Sequence, residues 1–259
     1  MLRSAAMKLG AQFYSIRTEC TTPEGLYNSF RKIAEIGYEI VQISGVCDIE
    51  AERLKSFSDE FNLPITSTHK PYDSIVNDTD NLIKYHQIIG CPVIGLGCMP
   101  TDMRKDLAGV RSFIKAMKEP IKKINAAGLN FAYHNHALEF EALEGTNIFE
   151  VLFEELPETH FIQDVYWTKF AGADTLAILE RIAKANRMTN IHFKDMKTEP
   201  AGPICPCGEG VTDFLPIAKL CKKYGIENVL VEQDNAPDLG DVFIQMKSSF
   251  DHLNPIVHI

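Results

Sequence analysis

Four ionisable side chains lie at the ends of separate short apolar runs of the sequence. They are Glu139 in YHNHALEF (133–140), Asp164 in FIQDVYW (161–167), His192 in IHFKDM (191–196) and Glu232 in VLVEQDN (229–235). Burying an unpaired charge costs free energy. Four predicted strands that each end in an ionisable residue therefore indicate that these residues interact with a common partner. Each residue alone could be a helix cap or an ion-pair partner. Together they form a hard, oxygen-rich set that suits Mn²⁺, Mg²⁺, Co²⁺ or Zn²⁺, and we predict a divalent-metal site.

The elements that must position these residues alternate regularly along the chain. Between apolar runs lie amphipathic segments in which apolar residues recur three and four positions apart, as in helices. Glycines follow several of these segments, and Thr22 and the pair Thr212-Asp213 precede two of them as capping residues. Strands are predicted over residues 9–16, 39–44, 65–69, 93–98, 130–136, 160–166, 190–195 and 228–234. Eight alternating units without a linker predict one closed (β/α)8 barrel domain over residues 1–259.

The barrel explains why the strand ends matter. Parallel strands present their carboxyl ends on one face, so residues distant in sequence converge there. His69 ends the third strand in the same way, and Lys194 lies on the same side of the seventh strand as its histidine. His134 and His136 share one face of the fifth strand, as proton carriers or as structural hydrogen-bond partners. Trp167 is either an apolar wall of a sugar pocket or a packing residue.

Composition excludes several classes of function. The chain has 26 Lys and Arg against 35 Asp and Glu, a formal net charge of −9, which disfavours nucleic acid as a partner. No apolar stretch approaches the roughly 18 residues of a membrane helix, and no signal peptide is recognisable. Seven cysteines, an odd number, fit reduced thiols. We therefore expect a cytoplasmic protein that contacts no membrane.

A family resemblance rests on the segments YHNHALEF, QDVYW, IHFKDM, GEGVTDF (208–214) and VEQDN in this order. They resemble the sugar phosphate isomerase/epimerase group of the xylose-isomerase-like barrel superfamily, over nearly the whole chain. The resemblance implies a small carbohydrate substrate and one divalent ion held by Glu139, Asp164, His192 and Glu232. Some relatives carry their glutamate on the fifth strand itself, where this sequence has His134. His134 and His136 are therefore alternatives to Glu139 as the ligand from that strand.

The resemblance also implies roles in catalysis. The two ligand glutamates, Glu139 and Glu232, would exchange protons on opposite faces of the substrate. His69 and Lys194 would bind substrate hydroxyls or stabilise an oxyanion, and Asp195 would support the ligands.

Three functional readings follow from this site. The first is an isomerase or epimerase of a ketose or related keto-sugar, and the second is a lyase or dehydratase acting on an inosose or a 3-keto-glycoside. The lyase would use His134 or His136 as the acid for its leaving group. A non-catalytic binding barrel is the third, and the intact ligand set argues against it. The sugar, its phosphorylation and the oligomeric state, a homo-oligomer included, stay open.

Overall fold

The computed structural model describes residues 6–259 and contains a closed parallel barrel. The strands are β1 (Lys8–Gln12), β2 (Ile40–Ile43), β3 (Ile65–His69), β4 (Val93–Leu96), β5 (Asn130–His134), β6 (His160–Asp164), β7 (Met188–Phe193), β8 (Asp195–Met196), β9 (Ile204–Cys205) and β10 (Asn228–Val231). Around the barrel the order is β1-β10-β7-β6-β5-β4-β3-β2, while β8 and β9 form a separate antiparallel pair. The predicted (β/α)8 barrel is confirmed.

Helices connect the strands on the outside of the barrel. They are α1 (Pro23–Ile36), α2 (Ala51–Glu60), α3 (Tyr72–Asn77), α4 (Thr79–Ile89), α5 (Leu107–Ala126), α6 (Ile148–Glu155), α7 (Val165–Phe170), α8 (Thr175–Lys184), α9 (Phe214–Tyr224) and α10 (Val242–Val257). Thr22 caps α1 through the Gly25 amide, and Gly37 ends that helix with a φ of 114°. Within residues 6–259, none of the helices combines the length and apolarity needed to cross a membrane.

Several predicted strands run two or three residues past the observed ends, as 160–166 does where α7 begins at Val165, and the first prediction is the furthest off. The first strand was predicted to reach residue 16, but β1 stops at Gln12 and a 3-10 helix spans Phe13–Glu19. The Gln12 side chain accepts a hydrogen bond from the Tyr14 amide and so caps this turn at 3.2 Å. Phe13 and Ile16 are still buried, because the 3-10 helix turns its apolar side chains toward the core.

The barrel interior is layered because every second residue of a strand points inward. Low in the barrel, Asn190 donates to Ser67 at 2.6 Å and to Thr66 at 3.3 Å. Asn228 donates to the Asn190 side-chain oxygen at 3.3 Å. We call Thr66, Ser67, Asn190 and Asn228 the lower polar layer. The interior residue that follows Asn190 along β7 is His192, so the next layer up is the one that contains the predicted site.

Candidate metal centre and substrate cavity

Four buried side chains meet at the carboxyl ends of neighbouring strands. They are His134, Asp164, His192 and Glu232, and one donor atom of each lies within 4.8 Å of the others. The imidazole of His192 approaches Glu232 Oε2 at 3.0 Å and Asp164 Oδ2 at 3.9 Å. The Nε2 atom of His134 lies 3.6 Å from Asp164 Oδ2 and 3.7 Å from Glu232 Oε2. We call these residues the four-donor cluster.

Asp164 is aimed at the cluster by local structure. It ends β6 and caps α7, so its Oδ1 accepts from the Trp167 amide at 2.9 Å while Oδ2 faces the cluster. Asn135 accepts from the Asp164 amide at 2.9 Å and donates to Thr168 at 3.3 Å. The asparagine between the two histidines of the HNH segment therefore ties the end of β5 to the end of β6.

His192 is oriented by a residue that the sequence did not single out. Its Nε2 lies 2.8 Å from Oε1 of Gln42, which is fully buried on β2. With a metal ion on Nδ1, the imidazole proton would be on Nε2, where the amide oxygen of Gln42 would accept it. Burial lowers the pKa of His192, which favours the neutral form that a metal ligand requires. The only signal in the sequence is one polar residue among the apolar residues of β2.

Lys194 brings the only ammonium group of residues 6–259 that contacts the cluster. Its Nζ lies 2.9 Å from both Asp164 Oδ2 and Glu232 Oε2, and 3.1 Å from Asp234. Burial alone would lower the pKa of Lys194, but these carboxylates raise it well above the ordinary value. In the same way, burial opposes the ionisation of Asp164 and Glu232, yet Lys194 holds the pKa of both carboxyls below the usual range. The ammonium of Lys194 and the carboxylates of Asp164 and Glu232 are therefore all ionised at the same time.

The donor set fits a divalent ion. Three carboxylates around one ammonium leave the site with a net charge of −2 when the imidazoles are neutral. His134 Nε2 is buried and has no hydrogen-bond partner, and buried Asp164 Oδ2 has only the ion pair with Lys194. Four of the donor separations are 3.0 to 3.9 Å and all are within 4.8 Å, which is compatible with ligands that surround one ion at about 2.0–2.6 Å. One divalent ion would satisfy both the unpaired nitrogen and the charge.

Glu139, which the resemblance implied as a ligand, lies outside the four-donor cluster. It belongs to a 3-10 turn, Ala137–Phe140, and its carboxylate accepts from the Tyr133 hydroxyl at 2.6 Å and from the His136 amide at 2.7 Å. Both oxygens are engaged because the glutamate caps its own turn. The residue from β5 that joins the cluster is His134, one of the two alternatives to Glu139. His134 is the last residue of β5, and its side chain points into the barrel.

A cavity of about 460 Å³ opens above the cluster, and we call it the central cavity. His69, His134, His136, Lys194, Glu232 and Asp234 are among its lining residues. His69 Nε2 and His136 Nδ1 are buried without a hydrogen-bond partner. Burial lowers the pKa of His136 to about 3 and that of His69 well below its ordinary value. Both imidazoles are therefore neutral at pH 7 and offer free ring nitrogens to a ligand.

Trp167 lies behind the wall of the central cavity. Its ring centre is 5.5 Å from that of His136 and 5.3 Å from Lys194 Nζ. Trp167 is absent from the lining, in agreement with the packing alternative, and it supports two residues that do line the cavity.

Asp195 anchors a loop beside the site. Its buried carboxylate accepts from the amides of Gly208, Gly210 and Thr212 at 3.0 to 3.1 Å. A side chain at Gly210 would stand 2.2 Å from the Met196 carbonyl, so this close approach requires glycine. The GEGVTDF segment is thus held in place by the residue that follows Lys194.

In (β/α)8 barrel enzymes the active site lies at the carboxyl ends of the strands. This chain has its four-donor cluster at the same place. The model of the xylose isomerase-like TIM barrel family matches residues 30–242, and the chain belongs to this family. No curated protein sequence matches the chain.

Solved structures share the fold over nearly the whole chain. A sugar phosphate isomerase/epimerase from Parabacteroides distasonis has a TM-score of 0.80 at 22% identity and covers 99% of this chain and 97% of its own. An L-ribulose 3-epimerase has a TM-score of 0.72 at 11% identity, with 97% and 94% covered. The probable 3-DHS dehydratase AsbF from Bacillus anthracis has a TM-score of 0.73 at 14% identity, with 96% and 99% covered. Family and neighbours together indicate an enzyme.

Proposed function

We propose that this protein is a divalent-metal-dependent isomerase or epimerase of a small keto-sugar. The observation that carries the proposal is the four-donor cluster, which opens onto a cavity of about 460 Å³. A cavity of this size suits a small polar molecule. The family and the epimerase neighbours agree with this class of substrate.

The residues that would hold the ion are His134, Asp164, His192 and Glu232. A divalent ion at this position supplies Lewis acidity, which polarises a substrate carbonyl and makes the neighbouring C–H more acidic. Lys194 would donate hydrogen bonds to a substrate oxygen, because its ammonium lines the central cavity. His69, with an unpartnered Nε2, would contact a second oxygen.

Proton transfer needs groups on two sides of the substrate. Glu232 and Asp234 follow β10, and His136 follows β5, three strands away around the barrel. Burial raises the pKa of Asp234 above its ordinary value, which makes this carboxylate a better base. We propose that Asp234 removes and returns the α-proton on one side, while the neutral imidazole of His136 contacts the substrate from the other. Glu139 would have to break two hydrogen bonds to take part.

A lyase or dehydratase is the second candidate. It shares the first proton abstraction, and one structure of the same fold is a probable 3-DHS dehydratase. His136, which lines the central cavity, is placed so that its neutral imidazole could hydrogen-bond to a departing group.

The test is proton exchange in D₂O. Protein loaded with Mn²⁺ is incubated with a panel of ketoses, inososes and keto-glycosides, and products are followed by NMR. We expect deuterium at one carbon next to the carbonyl, lost on chelation and in Asp164→Asn, and retained in the surface control Glu119→Gln. A rearranged sugar of unchanged composition identifies an isomerase or epimerase, whereas an unsaturated product identifies a lyase. Absence of exchange across the panel would contradict both.

A further inference from the structure

A second cavity, of about 580 Å³, adjoins the central cavity, and we call it the side cavity. The two share the lining residues Ser44, His69, Lys70 and Pro71, so they form one continuous cleft at the mouth of the barrel. The outer wall is the end of β2 and the loop that follows it, residues 43–50 together. That loop is held at two points, since the Tyr85 hydroxyl donates to the Ile49 carbonyl at 3.2 Å and the Cys47 amide donates to the Cys20 carbonyl at 2.8 Å.

Ionisable side chains without partners surround the side cavity. Asp48, Glu50, Arg53 and Lys70 line it, and none of these side chains forms a hydrogen bond or an ion pair with residues 6–259. Lys70 is half-buried at the junction of the two cavities, with Nζ 4.6 Å from the centre of the Tyr85 ring. Donors and acceptors are thus free to meet a ligand.

The charges decide which ligand fits. Two cationic and two anionic side chains leave the side cavity without net charge, and a phosphate would face the carboxylates of Asp48 and Glu50. Hydroxyl groups both donate and accept, so they satisfy both kinds of side chain. Val46, Ile49 and Tyr85 add apolar surface for the C–H face of a ring. These features describe a neutral polyhydroxylated ring.

We propose that the side cavity binds a second, uncharged sugar ring, joined to a keto-sugar ring in the central cavity. The substrate class would then be a glycosylated keto-sugar, with His69 and Lys70 beside the linkage. This inference rests on the proposed function for the inner ring. Either cavity alone falls within the about 300–1,000 Å³ of ordinary ligand sites, so the joined cleft exceeds the need of one monosaccharide.

The test compares a ketose with its glycosylated forms. Fructose, isomaltulose and lactulose are each mixed with the Mn²⁺-loaded protein, and saturation-transfer NMR and competition titrations report which rings are bound. We expect saturation of both rings of at least one disaccharide and about tenfold tighter binding than fructose, equivalent to roughly 1.4 kcal/mol. In the double variant Asp48→Ala, Arg53→Ala this gain should vanish while fructose binding stays. Glu52→Ala, an exposed neighbour outside the lining, is the matched control.

Several outcomes would overturn the inference. They are saturation confined to the fructosyl ring or absent from both disaccharides, a gain that survives the double variant, or tighter binding of fructose 6-phosphate than of either disaccharide. Failure of the proposed function looks different, because α-proton exchange would then be missing for every keto-sugar whether or not the second ring is bound.

Discussion

Two polar layers of the barrel interior share strands but differ in kind. The lower polar layer consists of neutral groups that hydrogen-bond to one another, as Asn190 does with Ser67 at 2.6 Å. In the next layer along β7, His192 lies among carboxylates, an ammonium and the buried His134 Nε2, which has no hydrogen-bond partner. The first layer satisfies its own hydrogen bonds, whereas the second has more carboxylates than ammonium groups. A self-satisfied network stabilises a fold, and an unsatisfied one marks a functional site.

The largest effect should follow the loss of a donor from the four-donor cluster. In Asp164→Asn we expect Mn²⁺ affinity to fall by more than about 100-fold. Replacing a residue that only hydrogen-bonds to a metal ligand already lowers metal affinity by about 10–100-fold. Stability in chelator should change little, since asparagine still caps α7 and one repelling charge is removed. Titration calorimetry and thermal unfolding measure the two quantities. Unchanged metal affinity would remove Asp164 from the site.

The second effect concerns the ammonium that balances the cluster. Lys194→Met leaves the buried carboxylates of Asp164 and Glu232 uncompensated, and we expect the metal-free protein to lose about 3–5 kcal/mol of unfolding free energy. Mn²⁺ should stabilise this variant more than the parent, because the ion replaces the missing positive charge. Denaturant unfolding with and without Mn²⁺ measures both effects. The control is Lys197→Met, whose exposed partner is Glu209 and whose loss should cost no more than about 1 kcal/mol.

Gln42 is not a donor of the four-donor cluster, but we expect it to affect the metal affinity of the cluster through His192. In Gln42→Leu the His192 proton loses its acceptor, and we expect Mn²⁺ affinity to fall by about 10–100-fold. Gln42→Glu keeps an acceptor oxygen and should recover most of the affinity. If leucine and glutamate weaken binding equally, the residue acts through packing rather than by orienting the imidazole.

The smallest effect on metal affinity should come from the lower polar layer. A substitution there should lower stability and leave Mn²⁺ affinity nearly unchanged. Asn190→Ala removes hydrogen bonds to Ser67 and Thr66 and should lower the free energy of unfolding by about 1–3 kcal/mol. Mn²⁺ affinity should stay within about twofold of the parent, because the layer contacts no donor. A large loss of affinity would mean that the two layers are coupled and that the contrast between them fails.

The sequence predicted the barrel and three members of the four-donor cluster because both depend on strand periodicity. Asp164, His192 and Glu232 each end an apolar run, and parallel strands bring such ends together. Glu139 was harder to place, since a 3-10 turn and its own capping hydrogen bonds decide where its carboxylate goes. Gln42 lies across the barrel, 150 positions from His192, and no local pattern reveals such a contact. The side cavity depends on the path of residues 43–50, which periodicity does not describe.

The most direct test of the account is the position of the ion. Crystals soaked in Mn²⁺ should give one strong anomalous peak at the carboxyl ends of β5, β6, β7 and β10. We predict that it lies about 2.0–2.6 Å from His134 Nε2, Asp164 Oδ2, His192 Nδ1 and Glu232 Oε2, with Glu139 still bonded to Tyr133 and His136. A peak coordinated by Glu139 instead of His134, or the lack of any peak among these donors, would contradict the metal centre on which the proposed function depends.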